Sequence, residues 1–365
     1  MTVMSRGFNF GAGPAMLPEE ILCEAQNELL NWHGLGLSIL EIGHRTSEFT
    51  ELMTQAETSL RKLLTIPDNY QVLFLGGAAR TQFASIPLNF LTKHNQAGYL
   101  ITGLWSSMAY AEAKRLKNAY CIASSEGSGF TQVPDSSIWK LQDNTAYLYY
   151  TPNETVNGVR VAKPPHYDNL PLIADMTSCL LTEPININNY GLIFAGAQKN
   201  IANAGLTIVI IRDELLNTIQ DSRLPTMMDY RVQTSNHSLY ATPPTFNCYL
   251  ALKMFHWIER QGGVDSLYRI NCEKAARLYK YIDLSTAYLA KVEPEARSLV
   301  NVCFTLLKPE LEPLFLEQAT QNGLLALQGH RTAGGLRASI YNSMPMEGVE
   351  RLINFMDDFA RKHAI

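Results

Sequence analysis

The sequence predicts an α/β protein: a large domain on a mainly parallel, seven-stranded sheet flanked by helices, joined to a smaller α+β C-terminal domain. Three observations carry this. Seven short runs are apolar throughout, without polar alternation, which is the pattern of strands buried on both faces. Helical patterns separate several of them, so those strands connect by crossovers and run parallel. From about residue 244 long helices replace the alternation, and strands and helices then mix to the end.

The first helix is expected in "PEEILCEAQNELLNW", with Pro18 suited to its first turn and Gly34 after its end. Its Ile21, Leu22, Ala25, Leu29 and Leu30 recur at helical spacing. "YQVLFL" is the first sheet strand, and "GGAAR" (residues 76–80) turns it into the helix "TQFASIPLNFL", read as helical despite Pro87. The strand "AGYLIT" and the helix "SSMAYAEAKRLK" follow. "AYCIAS", "TAYLYY", "LPLIAD", "YGLIFAG" and "LTIVIIR" complete the sheet, each bounded by turn residues. "FNCYLALKMFHWIERQGG" and "GVDSLYRINCEKAARLYKYID" are long helices, the second a bridge to the smaller domain. That domain has "VNVCFTLL" and "LRASIYN" as strands, and "EPLFLEQATQNG" and "MEGVERLINFMDDFARKHA" as helices.

Composition excludes several classes of function. A net charge of −4 leaves no basic footprint for nucleic acid, so any bound anion must be met by local arginines. No apolar run approaches the ~20 residues that span a bilayer, and no signal peptide is apparent. The six cysteines (Cys23, Cys121, Cys179, Cys248, Cys272, Cys303) include no C-x-x-C pair. They predict reduced, mostly buried thiols in a cytoplasmic protein, with neither a disulfide framework nor a metal site.

Ligands of open α/β sheets bind beyond the carboxyl ends of the strands, and four polar features fall there. Lys199 follows "LIFAGAQ"; a poorly hydrated lysine has a depressed pKa and can act as an amine nucleophile. Asp175 ends "LPLIAD" and could pair with a buried cation, such as the protonated pyridine nitrogen of pyridoxal phosphate. "GGAAR" opens a helix, where backbone N–H groups bind phosphate. Trp105 follows "YLITGL", placed to stack on a flat ring. Each has a plainer reading: a snorkelling lysine, a helix-capping aspartate, a tight turn, a core tryptophan. Together they are the parts a pyridoxal phosphate site needs. A second constellation lies in "GHRT" (43–46) and "GHRTAGGLR" (329–337), where Arg45, Arg331 and Arg337 sit beside glycines and histidines in loops. Clustered guanidinium forks suit a substrate with several anionic groups, where isolated ones suit a solvated surface.

With these residues in place, the chain resembles the phosphoserine aminotransferase family, class V pyridoxal phosphate enzymes of fold type I. The resemblance runs from "FNFGAGPAMLPEE" through "GHR", "PNET", "GAQKN" and "TPPTF" to "GHRTAGGLRASIYN" and "MPMEGV". It implies a large cofactor domain over residues 16–260, and a small domain of residues 1–15 and 261–365. It implies that Lys199 forms a Schiff base with pyridoxal 5′-phosphate, that Asp175 pairs with the pyridine nitrogen, and that Trp105 stacks on the ring. Thr155 would bond near the phenolic oxygen; Ala79, Arg80 and Gln198 would hold the phosphate, joined by Ala241 and Thr242 from the second subunit of a homodimer. Arg337 would clamp the substrate α-carboxylate, and His44, Arg45, His330 and Arg331 the side-chain anion, some across the dimer interface. The implied reaction moves an amino group from L-glutamate to 3-phosphohydroxypyruvate in serine biosynthesis, with 4-phosphohydroxythreonine in pyridoxine biosynthesis as a second use. Other class V transaminases, such as alanine–glyoxylate aminotransferase, a cysteine desulfurase, and a non-catalytic binding protein are the alternatives. Three positions depart from the family's usual text: Ala12 stands in "GAGP" for a serine, Ala79 for a glycine, and Ala241 for an asparagine.

Overall fold

The computed structural model describes residues 6–221 and 223–364, so the first five residues of the expected small domain lie outside the described chain. The chain opens with strand β1 (Phe8–Asn9), helix α1 (Glu19–Glu28) and helix α2 (Ser47–Leu64). α1 is shorter than its apolar spacing predicts: it ends at Glu28, and Leu30 stands 86% exposed beyond it. α2 is a long helix that the alternation of patterns did not reveal. The Thr46 hydroxyl caps it by accepting from the Phe49 amide at 3.3 Å. Phe49, Leu52, Ala56 and Leu60 form its buried stripe, at about 2 kcal/mol for each large side chain removed from water.

Then come β2 (Tyr70–Gly76), α3 (Thr81–Phe90), β3 (Gln96–Ile101), α4 (Leu104–Leu116), β4 (Ala119–Ser124) and β5 (Thr145–Tyr150). A small hairpin of β6 (Asn153–Glu154) and β7 (Val159–Arg160) precedes β8 (Leu172–Asp175), β9 (Leu192–Gly196) and β10 (Leu206–Arg212). The seven long strands lie in the order β2-β10-β9-β8-β5-β3-β4. β10 is antiparallel to both its neighbours, Val209 facing Phe194 on one side and Leu73 on the other. Reversal on both sides leaves β2 running the same way as the remaining strands. The carboxyl ends of β2, β3, β5, β8 and β9 therefore open on one edge, and the site is built there.

Burial explains the unbroken apolar runs. Along β9 and β10, Ile193, Ala195, Ile208 and Ile210 pack with residues of α1, α2 and the later helix Thr245–Arg260. The alternate residues Leu192, Phe194, Val209 and Ile211 pack with α3 and α4 on the opposite face.

After β10 the chain forms α5 (Asp213–Leu216), α6 (Tyr230–Ser235), α7 (Thr245–Arg260) and α8 (Gly263–Leu284). α8 places Val264 and Leu267 in the core around the sheet, and Ala275, Leu278 and Ile282 in a second core. That second core is covered by β11 (Tyr288–Ala290), β12 (Asn301–Leu306), α9 (Glu312–Gln321), β13 (Leu324–Leu325), β14 (Leu336–Ser339) and α10 (Met346–Lys362). β11, β12 and β14 form an antiparallel sheet; β1 pairs with β13, and Phe10 is fully buried among these residues. Cys179, Cys248 and Cys303 are buried, but Cys23 and Cys121 are exposed, so the thiols are less uniformly interior than their apolar surroundings predict. No described helix is long and apolar enough to cross a membrane.

Candidate active site

Lys199 leaves β9 in a helical turn closed by Ile201 and Ala202, whose amides bond the Ala197 carbonyl at 3.1 and 2.8 Å. The turn directs the lysine inward: it is 9% exposed, its Nζ donates to Thr155 Oγ1, and it lies 5.6 Å from the Trp105 ring centroid. Burial pushes its pKa down to about 8; Asp175 and Glu154 pull it back up, and Arg337 pushes it further down. The lysine is therefore interior, and roughly a tenth of it is the neutral amine at pH 7, far more than for an ordinary lysine.

Asp175 ends β8 and is 5% exposed. Its Oδ1 accepts from the Thr177 amide at 3.0 Å and the Thr177 hydroxyl at 2.5 Å. Thr177 Oγ1 in turn accepts from the Gly196 amide at 3.1 Å, tying β8 to the end of β9. Both bonds fall on one carboxylate oxygen, so the capping role leaves the other free while the side chain also lines the pocket. Burial pushes this carboxyl up, Thr177 and Lys199 opposing the rise, and it makes no ion pair among the described residues.

The N-terminus of α3 supplies the third wall. Gly77 adopts φ +116°, and the chain reaches Arg80 with no partner among the backbone bonds for the Ala79 and Arg80 amides. Arg80 lies 4.9 Å from the Trp105 centroid, so two cations flank that ring. The half-buried Trp105 is a wall of the pocket, with its Nε1 buried and unpartnered. Ala79, Arg80, Trp105, Asp175, Gln198 and Lys199 line one cavity of about 130 Å³.

Sequence reasoning missed Glu154. This carboxylate is completely buried and accepts from the Trp105 amide at 2.9 Å, the Ser106 amide at 2.8 Å and the Ser106 hydroxyl at 2.6 Å. It caps α4 from 49 residues away, which local spacing cannot reveal. Gly103 is required beside it, since a Cβ there would meet Glu154 Cδ at 2.5 Å. Burial pushes Glu154 up to about 7, against the pull of its three donors. Glu154→Ala is expected to lower stability by about 2–3 kcal/mol by orphaning those donors, read from urea unfolding of the unloaded protein.

Arg337, on β14, has a buried, unpartnered Nε and borders a neighbouring cavity of about 350 Å³. His330 is held below its ordinary pKa by burial and then by the charges of Arg337, Arg331 and Arg80, although neither His330 nor Arg331 lines either cavity. His44, Arg45, Ala241 and Thr242 do not join this arrangement in their own chain; none of them lines either cavity. Arg45 and Thr242 are exposed, and His44 has a buried, unpartnered Nε2. One cavity is thus bordered by an interior lysine amine, a carboxylate without an ion pair among the described residues, and a helix start with open amides.

The family model for class-V aminotransferases matches residues 7–352. A phosphoserine aminotransferase of Legionella pneumophila (strain Lens) is 62% identical over 359 residues, covering 98% of this chain and 99% of its own. Among solved structures, the phosphoserine aminotransferase from Bacillus circulans subsp. alkalophilus superposes with a TM-score of 0.96 at 42% identity, covering 99% and 100% of the two chains. The pyridoxal-phosphate-bound phosphoserine aminotransferase from Trichomonas vaginalis gives 0.92 at 39% identity, covering 96% and 100%.

Proposed function

The chain belongs to the class-V aminotransferases, and from that premise we propose that it moves the amino group of L-glutamate to 3-phosphohydroxypyruvate. The products are O-phospho-L-serine and 2-oxoglutarate, and the cofactor is pyridoxal 5′-phosphate. The observation that carries this reading is the shared pocket of a lysine amine, a carboxylate without an ion pair and an open helix N-terminus.

The donor set fits the cofactor. Asp175 lacks a cation and would meet the pyridinium; the unpartnered amides of Ala79 and Arg80, with Arg80 and Gln198, would hold the phosphate. When bound, pyridoxal phosphate supplies an aldehyde that takes up amines and a ring that accepts the electron pair left when Cα loses its proton. Lys199 Nζ then carries a proton away from the substrate Cα and returns one on the other side of the transfer. Thr155 Oγ1 accepts from that Nζ and keeps it within reach. Arg337 binds the α-carboxylate bidentately, and His330 and Arg331 meet the side-chain phosphate or carboxylate. A homodimer belongs to the same proposal: His44, Arg45, Ala241 and Thr242, which do not line their own pocket, would serve that of a second copy. Leu30, Leu40 and Tyr240, exposed at 86%, 58% and 44%, support a surface that a partner covers. The keto form of 4-phosphohydroxythreonine offers the same pair of anions, and six free thiols accord with a cytoplasmic setting.

The test is the visible spectrum of the purified enzyme. Glutamate should bleach the band of the loaded protein and 3-phosphohydroxypyruvate restore it; a band indifferent to both removes the proposed reaction. The lysine also predicts a pH dependence. Only the neutral amine attacks an aldehyde, so the rate at which unloaded protein takes up pyridoxal phosphate should climb with pH and level off above about 8. A rate still climbing towards pH 10 would assign uptake to ordinary surface lysines.

A further inference from the structure

A belt of buried amides and hydroxyls joins the sheet edge to the C-terminal lobe beside the site, and the reaction as described does not use it. Its hub is Asn301 on β12, which has no exposed surface. Asn301 Oδ1 accepts from Asn153 Nδ2 at 2.8 Å, and its Nδ2 donates to Ser339 Oγ at 3.0 Å and to the Tyr341 hydroxyl at 3.1 Å. Every polar atom of this side chain is thus engaged. Asn153 stands two residues before Thr155, the acceptor for Lys199. Ser339 stands two residues after Arg337, on the same face of β14. Asn301 is also the ladder partner of Ser339, and Cys303, two residues on, is that of Arg337. The Tyr341 hydroxyl continues the chain by donating to the Ala12 carbonyl at 2.9 Å, and Ser298 Oγ donates to Asn153 Oδ1 at 2.5 Å.

An apolar seam would hold the lobes together equally well, but it would let them slide, since dispersion contacts are not directional. A filled hydrogen-bond network does not slide: a small shift leaves buried groups unpaired, at about 1–3 kcal/mol each. The geometry points to Asn301 as a positioning residue that fixes the distance between the Arg337 guanidinium and the Lys199 amine, and so sets the affinity for substrate carboxylates. The inference rests on the proposed role of Arg337. Asn301 touches no substrate and acts through the strand that carries that arginine. The same belt makes the carboxylate site preset in the unliganded protein, with no closing of one lobe on the other needed to assemble it.

The test is a KM-against-kcat comparison. Asn301→Leu keeps the volume and removes the bonds to Asn153, Ser339 and Tyr341. It should raise KM for glutamate at least tenfold while kcat per cofactor-loaded site changes less than threefold, the signature of lost uniform binding. In an Arg337→Ala background the same substitution should add no further increase in KM. A folded Asn301→Leu enzyme with unchanged KM, or with the loss in kcat alone, would overturn the inference, as would an undiminished effect in the arginine-free background. If Asn301→Leu fails to fold, Ser339→Ala, which severs only the arm on β14, takes its place; a threefold rise in KM supports the inference and an unchanged KM overturns it. Arg337→Ala alone separates the two readings: if it leaves KM for glutamate unchanged, the carboxylate role of Arg337 fails first and the positioning role falls with it.

Discussion

Lys199→Ala should lower kcat/KM by about 10⁴-fold or more, equivalent to some 5.5 kcal/mol of transition-state stabilisation. The size follows from two losses in one substitution. The variant has no amine to bond the cofactor aldehyde, and nothing else in the pocket is placed to carry the Cα proton. Thr155 accepts from the lysine and is not itself a base; Asp175 is engaged by Thr177; Glu154 is occupied by the first amides of α4. Lys199→Arg should be as inactive, since a guanidinium stays charged where burial holds the lysine near a pKa of about 8. Unloaded Lys199→Ala should melt no lower than the parent chain, because removing a buried cation relieves a desolvation penalty. A small primary amine added to Lys199→Ala should restore part of the activity, as it supplies the missing base. Retention of more than a tenth of the parent rate without added amine would place the proton transfer on another residue.

How much of this was open to sequence reasoning depended on the distance over which each contact is made. The seven sheet strands were legible because burial on both faces leaves unbroken apolar runs, as in "LIFAG" and "LTIVIIR". The reversed direction of β10 was not, since nothing in "LTIVIIR" distinguishes a parallel from an antiparallel neighbour. α2 escaped notice although its signals were local: Thr46 as cap and a stripe from Phe49 to Leu60, hidden among the polar residues of its outer face. Lys199, Asp175, Trp105 and the "GGAAR" turn could be found from their places at strand ends, and they line one pocket. Glu154 and Asn301 could not, because each is defined by partners at least 38 residues away, and neither belongs to a local pattern. Ala12 also gains a meaning that the text of "GAGP" does not carry: its carbonyl, not its side chain, terminates the amide belt through Tyr341.

Asp175→Asn sets activity against stability with opposite signs, and so tests why a carboxylate is kept there. Asparagine preserves the shape and can still accept from the Thr177 amide and hydroxyl. What it lacks is the charge opposite the ring cation, and kcat should fall by about 10³-fold, as for the loss of one preorganised electrostatic partner. Stability of the unloaded protein should move the other way. Burial raises the Asp175 pKa above its ordinary 3.8, so the folded chain holds this proton more firmly than the unfolded chain does. The stability gained from that proton is complete below about pH 3.8 and is lost as pH rises through the folded value. Above that folded value the unloaded protein carries a buried charge without an ion pair among the described residues, which Asp175→Asn removes. The variant should melt higher than the parent when both are unloaded and gain less on adding pyridoxal phosphate, because the cofactor's cation has lost its counterpart. Thermal melts with and without cofactor decide the matter. An unloaded Asp175→Asn protein that melts lower than the parent at pH 7 would mean that Thr177 and Lys199 already satisfy this carboxylate, leaving it nothing to offer a ring cation.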